Sequence, residues 1–204
     1  MRIFAIGRNY VEHIQELNNE RPDEPVIFTK PDTALLTGNA PFVHPTFSKD
    51  IHHEIELVLK ISKQGSQIPE PEALGYLDSI GLGVDFTARD LQQKAKEKGL
   101  PWDIAKGFDH SAPLSSKFIP AREFADLTSI DFSLEVNGQV RQKGNTSLML
   151  FPFAYIISYL SKFFTLKPGD LIFTGTPKGV SAVKAGDKLT GYIGTEKMLD
   201  FEVR

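Results

Sequence analysis

The chain has 204 residues, of which 41% are hydrophobic and 24% are charged; this is ordinary for a soluble globular protein and favours one domain, residues 1–204, over two very small ones. Because the chain has no cysteine, disulfides, thiolate metal ligands and cysteine nucleophiles are excluded. The net charge is −3, and the basic residues are scattered and offset by acids, so no nucleic-acid surface is indicated.

The N-terminal part of the chain predicts short elements separated by loops. Residues 3–6 are predicted to form a strand, and residues 9–17 a short helix with Asn9 as its N-cap. The polar residues 18–25 include two prolines and are predicted to form a mobile loop. A brief strand over residues 26–29 and a turn-rich connection over residues 37–47 follow. The first residues are too polar for a signal peptide, so a cytoplasmic location is expected.

Residues 51–61 show the clearest periodicity in the chain. Ile51, Ile55, Leu57, Leu59 and Ile61 share one parity, while Glu54 and Glu56 share the other. This alternation is typical of a strand with one face in a core. The pattern therefore predicts one strand whose polar face carries both glutamates.

A glycine-rich strand and a helix are predicted next. The strand covers residues 80–85 and ends at Asp85, and the helix covers residues 88–98, with Thr87 as N-cap and Gly99 as its end. A lysine cluster (Lys94, Lys96 and Lys98) has helical spacing, and we interpret it as a solvated face.

The C-terminal half predicts a hairpin, a buried helix and two similar turns. Asn-Gly at 137–138, between β-forming residues, predicts a hairpin over residues 132–142. Residues 151–164 predict a buried helix with Pro152 in its first turn, and this stretch is too short to span a bilayer. Residues 167–170 and 184–187 are turns that each lead into a strand. The whole pattern indicates an α+β fold dominated by strands, with few helices.

Glu54, Glu56 and Asp85 form a candidate metal site. Two residues span roughly 7 Å of strand, so both glutamates can converge on one ion. Carboxylates held together repel each other, and a bound Mg²⁺, which prefers oxygen ligands, removes that conflict. Asp85 ends a glycine-rich strand and supplies a third ligand. Two alternatives stay open here: a solvent-exposed edge strand without an ion, and a site for a softer metal that includes His52.

His13 and Glu16 form a candidate acid–base pair on the first predicted helix. They lie three positions apart in the sequence, so on a helix they share a face and can hydrogen-bond. A histidine oriented by a carboxylate is a general base suited to neutral pH. The alternative is a surface histidine beside a surface glutamate.

Taken in chain order, seven short motifs together resemble the fumarylacetoacetate hydrolase family, in particular its short branch of acylpyruvate hydrolases and oxaloacetate decarboxylases or tautomerases. The resemblance extends from about Ile3 to the C-terminus. The motifs are Ala-Ile-Gly-Arg-Asn-Tyr (5–10), His-His-Glu-Ile-Glu-Leu (52–57), Asp-Phe-Thr-Ala-Arg-Asp-Leu-Gln (85–92), Gly-Leu-Pro-Trp (99–102), Ala-Lys-Gly-Phe (105–108), Val-Asn-Gly (136–138) and Thr-Gly-Thr-Pro-Lys-Gly-Val (174–180).

The resemblance implies a fold, a cofactor and a set of site residues. The fold would be a mixed β-sandwich or β-roll of the family's C-terminal-domain type, usually in a homodimer. The metal would be Mg²⁺, with Mn²⁺ or Ca²⁺ as alternatives, held by the three carboxylates. The remaining matches imply catalytic roles for His13, Glu16 and Lys106, and substrate contacts for Lys30, Arg89, Gln92 and Thr176.

The resemblance also implies chemistry on small 2-oxo acids through a metal-bound enolate. Hydrolysis of 2,4-dioxo acids such as acylpyruvates, decarboxylation of oxaloacetate, and keto–enol tautomerisation all share that feature. Two alternatives stay open. One is an isomerase or decarboxylase of the 2-hydroxyhepta-2,4-diene-1,7-dioate type, and the other is a non-catalytic protein that binds a 2-oxo acid through the metal.

Overall fold

The structure is a computed structural model that describes residues 1–17 and 20–204 of the chain. Its helices are α1 (Val11–Glu16), α2 (Glu70–Ala73), α3 (Arg89–Lys98), α4 (Asp103–Lys106) and α5 (Phe153–Phe163). Its strands are β1 (Ile3–Gly7), β2 (Val26–Lys30), β3 (Leu35–Leu36), β4 (Ile51–His53), β5 (Ile55–Ile61), β6 (Leu77–Val84), β7 (Thr87–Ala88), β8 (Ala112–Pro113), β9 (Ile119–Pro120), β10 (Asp131–Val136), β11 (Gln139–Asn145), β12 (Leu171–Phe173), β13 (Ser181–Ala182), β14 (Lys188–Ile193) and β15 (Glu196–Glu202).

The strands form a mixed β architecture with few helices. The largest sheet has the order β2-β1-β12-β5-β6-β9, and a second sheet has the order β11-β10-β14-β15. Two small sheets, β13-β4-β7 and β3-β8, complete it. The β1–β12 and β3–β8 pairs are parallel, and the other strand pairs are antiparallel. The expected α+β class, with its β-roll character, is confirmed.

The main apolar core lies between the two larger sheets and extends under α5. Gly191 on β14 allows close approach, because a Cβ there would lie 2.8 Å from Leu82 of β6. The buried face of α5 includes Ile156, Ile157 and Leu160. Within the described residues, no helix has the length and apolar character needed to cross a membrane.

The predicted hairpin and the two predicted turns are confirmed. Asn137 and Gly138 both have positive φ, 54° and 74°, as a type I′ turn between β10 and β11 requires. In each turn the backbone N–H of the lysine, at 167 or 184, donates to the aspartate carboxylate three residues later, at 2.9 Å. Strands β1 and β2 and helix α5 also lie where the sequence predicts them.

Both predicted N-caps are wrong. Helix α1 begins at Val11, and the buried Asn9 side chain instead donates to the carbonyls of Phe151 and Thr174, at 3.1 and 2.8 Å. Thr87 lies in β7, and its hydroxyl donates to the carbonyl of Asp85 at 3.3 Å. The partners of Asn9 are distant in the sequence, and Thr87 is held in β7 by pairing with β4, so local sequence reveals neither arrangement. The predicted end of α3 at Gly99 is confirmed, with φ 63°.

The single strand predicted over residues 51–61 is also wrong in detail. Regular strand pairing is interrupted at Glu54. As a result, β4 pairs with β7 and β13, while β5 joins the largest sheet. Both faces of β5 are buried, so the glutamates do not lie on a solvent face. Part of the predicted loop over residues 18–25 lies outside the described residues, and its mobility stays a prediction.

Candidate active site

The pairing of β5 with β6 brings Glu54, Glu56 and Asp85 together. The antiparallel register sets Ile55 opposite Val84, and beyond it the Asp85 N–H donates to the Glu54 carbonyl at 2.8 Å. The three side chains each offer an oxygen within 4.8 Å of the others. They are almost fully buried, with exposed fractions of 4%, 2% and 0%. Three buried carboxylates at this separation repel one another unless cations offset their charge.

Three cationic side chains contact this carboxylate triad. The Lys106 ammonium lies 2.8 Å from Glu54 Oε2 and 2.6 Å from Asp85 Oδ2. The Arg89 guanidinium lies 2.5 Å from Glu54 Oε1. The Lys30 ammonium lies 2.7 Å from Asp85 Oδ1. Each oxygen of Asp85 therefore has a lysine ammonium beside it.

The two glutamates of the triad differ in their electrostatic environment. Burial alone raises the pKa of Glu54, but Lys106 and Arg89 outweigh it and hold this pKa well below its usual range. Burial, reinforced by the negative charges of Asp85 and Glu54, raises the pKa of Glu56 well above its usual range. Ionised Glu56 therefore needs a further positive charge beside it. A divalent cation with a preference for oxygen ligands fits this donor set.

A glycine-containing loop, residues 174–179, supports both the triad and α1. The Gly175 N–H donates to Glu56 Oε2 at 2.7 Å, and the Gly179 N–H donates to Glu16 Oε1 at 2.9 Å. Gly175 has φ 102°, and a Cβ there would lie 2.6 Å from the Asn9 Cβ. Glycine is required at this position because both the backbone conformation and the close approach exclude a side chain.

His13 and Glu16 form the expected pair on α1. His13 Nδ1 lies 3.0 Å from Glu16 Oε2, and His13 is buried. Burial alone raises the pKa of Glu16, but the hydrogen bonds from His13 and Gly179 outweigh it and lower this pKa. The ionised carboxylate can only accept, so Nδ1 carries the proton when the imidazole is neutral. Nε2 is then the atom able to take a proton.

One cavity joins the triad, the histidine and most of the other predicted residues. Arg89 Nη1 donates to Gln92 Oε1 at 2.7 Å, which orients both side chains on α3. Aromatic side chains Phe28 and Trp102 form part of the wall. The predicted site residues that line the cavity are His13, Glu54, Glu56, Asp85, Arg89, Gln92, Lys106 and Thr176.

Lys30 and His52 lie elsewhere. The Lys30 ammonium, beside Asp85, also contacts the Lys106 carbonyl and Ser111 Oγ, so it faces protein oxygens behind the triad. His52 belongs to β4 and directs Nε2 to Asp50 Oδ1 at 2.8 Å. Among the described residues, the group able to hold an ion consists of Glu54, Glu56 and Asp85 without His52, so the alternative site that included His52 is wrong.

Sequence reasoning missed Gln142 on β11, which is buried behind Thr176. Its Oε1 accepts from the Ile55 N–H at 3.0 Å and lies 2.8 Å from His53 Nδ1. Its Nε2 donates at 2.8 Å both to the Pro177 carbonyl and to Thr176 Oγ1. The backbone partners fix the orientation of the amide, so the Thr176 oxygen accepts here and its own proton is free to point elsewhere.

Lys96 contradicts the interpretation of the lysine cluster as a solvated face. Lys94 and Lys98 are exposed, but Lys96 is half-buried and lines the cavity with Arg8. Lys96 follows Gln92 by one helical turn on α3, so the sequence contained the signal.

Comparison with known families supplies the identification. Residues 2–200 match the fumarylacetoacetate (FAA) hydrolase C-terminal family. The chain belongs to this family. The mitochondrial oxaloacetate tautomerase of Mus musculus is 43% identical over 202 residues, which cover 99% of this chain and 91% of the relative. The mitochondrial oxaloacetate decarboxylase of Dictyostelium discoideum is 44% identical over 204 residues, which cover 99% and 93%.

A solved structure extends the likeness to the fold. Fumarylpyruvate hydrolase from Pseudomonas aeruginosa, in complex with Mn²⁺ and pyruvate, superimposes with a TM-score of 0.93 at 38% identity. The superposition covers 100% of this chain and 89% of that chain. The present chain is therefore a family enzyme of hydrolase and lyase type, with a buried acidic triad suited to a metal ion.

Proposed function

We propose that this enzyme acts on small 2-oxo acids, with Glu54, Glu56 and Asp85 holding Mg²⁺. The reactions are hydrolysis of acylpyruvates or fumarylpyruvate, and decarboxylation or tautomerisation of oxaloacetate. The observation that carries the proposal is that the buried triad and the His13 imidazole line one cavity. The names of the Mus musculus and Dictyostelium discoideum relatives and of the Pseudomonas aeruginosa structure support the same substrate class.

The charge balance of the cavity favours an anionic substrate. The three carboxylates are offset by the three side-chain cations that contact them, Lys30, Arg89 and Lys106. A divalent cation would leave the centre with two positive charges. An anionic 2-oxo acid would offset this charge, which a neutral ketone would not. When bound, the ion would polarise the 2-keto oxygen and stabilise negative charge that develops on the adjacent carbons.

In hydrolysis, His13 is the general base. Its Nε2 takes a proton from water while the water oxygen bonds to the C4 carbonyl carbon of a 2,4-dioxo acid. The C3–C4 bond then breaks, its electron pair stays with the pyruvate part, and the imidazolium returns the proton to C3. Glu16 keeps Nδ1 protonated throughout, so the ring remains correctly oriented.

In this proposal, cationic and polar side chains of the cavity hold the negatively charged oxygens of the substrate. Lys106 and Arg89 lie at the triad, where charge develops, and each donor is worth a few kcal/mol in such a position. Gln92 and the Thr176 hydroxyl would orient the substrate carboxylate. Lys30 orients Asp85 from behind, and a direct contact between Lys30 and substrate stays a prediction.

One experiment tests the class of reaction. Purified protein is incubated with Mg²⁺ and acetylpyruvate, and separately with the keto and enol forms of oxaloacetate, while absorbance and released carbon dioxide are followed. Turnover of at least one substrate is expected, with loss of turnover after chelation. Failure of all three would overturn the proposal, and repetition with Mn²⁺ or Ca²⁺ identifies the preferred ion.

Several family expectations stay predictions. Light scattering would test assembly as a homodimer, and cell fractionation would test the cytoplasmic location, since both relatives above are named as mitochondrial. A purely binding role would appear as oxalate binding without turnover of any substrate. The dienedioate isomerase alternative predicts turnover of longer diacids instead.

A further inference from the structure

One face of helix α3 continues beyond the residues that contact the triad. Arg89, Gln92 and Lys96 follow at spacings of three and four residues, so they share a face, and all three line the cavity. Arg89 is fixed at the triad by its contact with Glu54. Lys96 lies seven residues further, which is about 10 Å along the helix axis. The stripe therefore extends along the cavity wall from the triad to Lys96.

Lys96 is half-buried at this part of the cavity wall. Its Nζ lies 5.7 Å from the centroid of the Trp102 ring, within range for a cation–π contact. Burial lowers the pKa of Lys96, and the positive charges of Arg8 and Arg89 lower it further. Lys96 and Arg8 thus place two cationic side chains on one part of the cavity wall, and such a surface attracts an anionic group.

Arg8 reaches the same region through an unusual backbone conformation. Its φ is 59°, in the left-handed region that non-glycine residues rarely adopt. The side chain lines the cavity immediately after Gly7, at the end of β1. Backbone strain of this kind concentrates at functional sites.

We propose that Lys96 and Arg8 form a subsite for the second carboxylate of a dicarboxylic 2-oxo acid. This subsite rests on the proposed function, which places the 2-oxo carboxylate at the triad. It adds a selection that the triad cannot make, because the triad recognises only the 2-oxo acid end shared by monoacids and diacids. The enzyme would therefore prefer diacids over monoacids of equal length.

The test compares two ligands that differ only at the distal end. 2-Oxoglutarate carries a carboxylate where 2-oxopentanoate carries a methyl group, and the two acids have chains of equal length. Their dissociation constants in the presence of Mg²⁺ are measured by calorimetry, without reliance on turnover. The wild-type protein should bind the diacid about tenfold more tightly or better.

Variants at Lys96 and Arg8 test whether these two residues cause the preference for the diacid. Lys96→Met and Arg8→Asn should each reduce the ratio of the two dissociation constants several-fold, because each removes one charge. Asparagine tolerates the left-handed conformation, so Arg8→Asn preserves the backbone. Lys96→Arg should keep the preference. Lys94→Met removes an exposed charge from the same helix and should leave the ratio unchanged.

The outcomes separate the subsite from the proposed function. Equal binding of both acids by the wild type, or a ratio unchanged in both charge-removing variants, would overturn the subsite alone. Binding of neither acid, together with no turnover of acetylpyruvate or oxaloacetate, would overturn the proposed function and the subsite with it. If Lys94→Met lowers the ratio of the two dissociation constants as much as Lys96→Met does, the subsite is also overturned. The net charge of the helix, and not Lys96 itself, would then explain the preference.

Discussion

Gln142 Nε2 donates to Thr176 Oγ1 across 2.8 Å, and this bond sets which way the threonine hydroxyl points. The same amide accepts from a backbone N–H of β5 and donates to the Pro177 carbonyl, so it cannot flip without losing both bonds. A strand of the second sheet thereby orients a hydroxyl in a cavity built on the first.

Gln142→Met is expected to lower the free energy of unfolding by about 2–4 kcal/mol, because several buried polar groups lose their partner. It should also raise KM for a 2-oxo acid more than it lowers kcat, since Thr176 loses its orientation. Urea denaturation and steady-state kinetics measure the two effects. Gln139→Met changes an exposed residue on the same strand and serves as control. Unchanged stability in Gln142→Met would show that the network contributes little.

Glu54→Gln is expected to abolish the rise in Tm that Mg²⁺ produces, and turnover with it. The substitution removes one oxygen charge from the triad while keeping the size of the side chain. The substitution also breaks ion pairs to Lys106 and Arg89, which changes the Tm by itself. The measured quantity is therefore the change in Tm on adding Mg²⁺, compared between the variant and the wild type. Glu72→Gln alters an exposed residue and should leave the shift intact. A full Mg²⁺ shift in Glu54→Gln would remove this residue from the ligand set.

His13→Ala should lower kcat for acetylpyruvate hydrolysis by about 10²- to 10⁴-fold, as the loss of a general base does. Decarboxylation of oxaloacetate should fall less, because no water has to be activated. The Mg²⁺-induced rise in Tm should persist, since the triad is intact. His44→Ala, which does not line the cavity, is the control. Equal losses of kcat in hydrolysis and decarboxylation would contradict the assignment of His13 as the base that activates water.

Glu16 makes stability depend on pH with a defined sign. Its pKa lies below the ordinary value of 4.5, because hydrogen bonds outweigh burial. Its contribution is therefore fully present above about pH 4.5, and it is lost as the pH falls through the lower folded-state value. The difference in unfolding free energy between wild type and Glu16→Gln should shrink in that window, as urea titrations at a series of pH values would measure. A difference that grew on acidification would contradict the assigned hydrogen bonds.

Gly175→Ala should destabilise the fold by at least about 2 kcal/mol, because positive φ and a close approach to Asn9 act together. Gly169→Ala is a matched control, with positive φ of 85° and no neighbouring atom within 4 Å of a new Cβ. It should cost only about 1 kcal/mol. Thermal and urea unfolding compare the two. Equal costs would mean that Asn9 moves aside freely.

Much of the fold and the position of the triad follow from local sequence. The Asn137-Gly138 turn, the paired lysine–aspartate turns and the alternation around Glu54 and Glu56 depend on neighbours in the chain, so they could be predicted. A solvent-exposed strand stayed open as an alternative for the glutamates, because alternation does not distinguish a half-buried strand from one whose polar side chains are buried among cations.

Other parts of the site depend on contacts between distant segments. Asn9 resembles a cap locally, but its partners, the carbonyls of Phe151 and Thr174, lie on segments that only the fold brings near. Thr87 also resembles a cap, but it lies in β7, whose pairing with β4 depends on a distant segment. Gln142 occupies an ordinary position in a hairpin, and nothing in its surroundings in sequence indicates His53 or Thr176. Lys96 is different, because its spacing from Arg89 and Gln92 places it on the same face and a helical projection would have found it.

The loop over residues 174–179 connects the amide that holds Glu56 with the amide that holds Glu16. These amides, of Gly175 and Gly179, are four positions apart, so this spacing fixes how the carboxylate triad lies relative to the His13–Glu16 pair. An insertion or deletion within the loop would misalign the triad and the pair even with every side chain of the site retained. Changes of length are therefore tolerated less well in this short connector than substitutions in the cavity wall around Trp102.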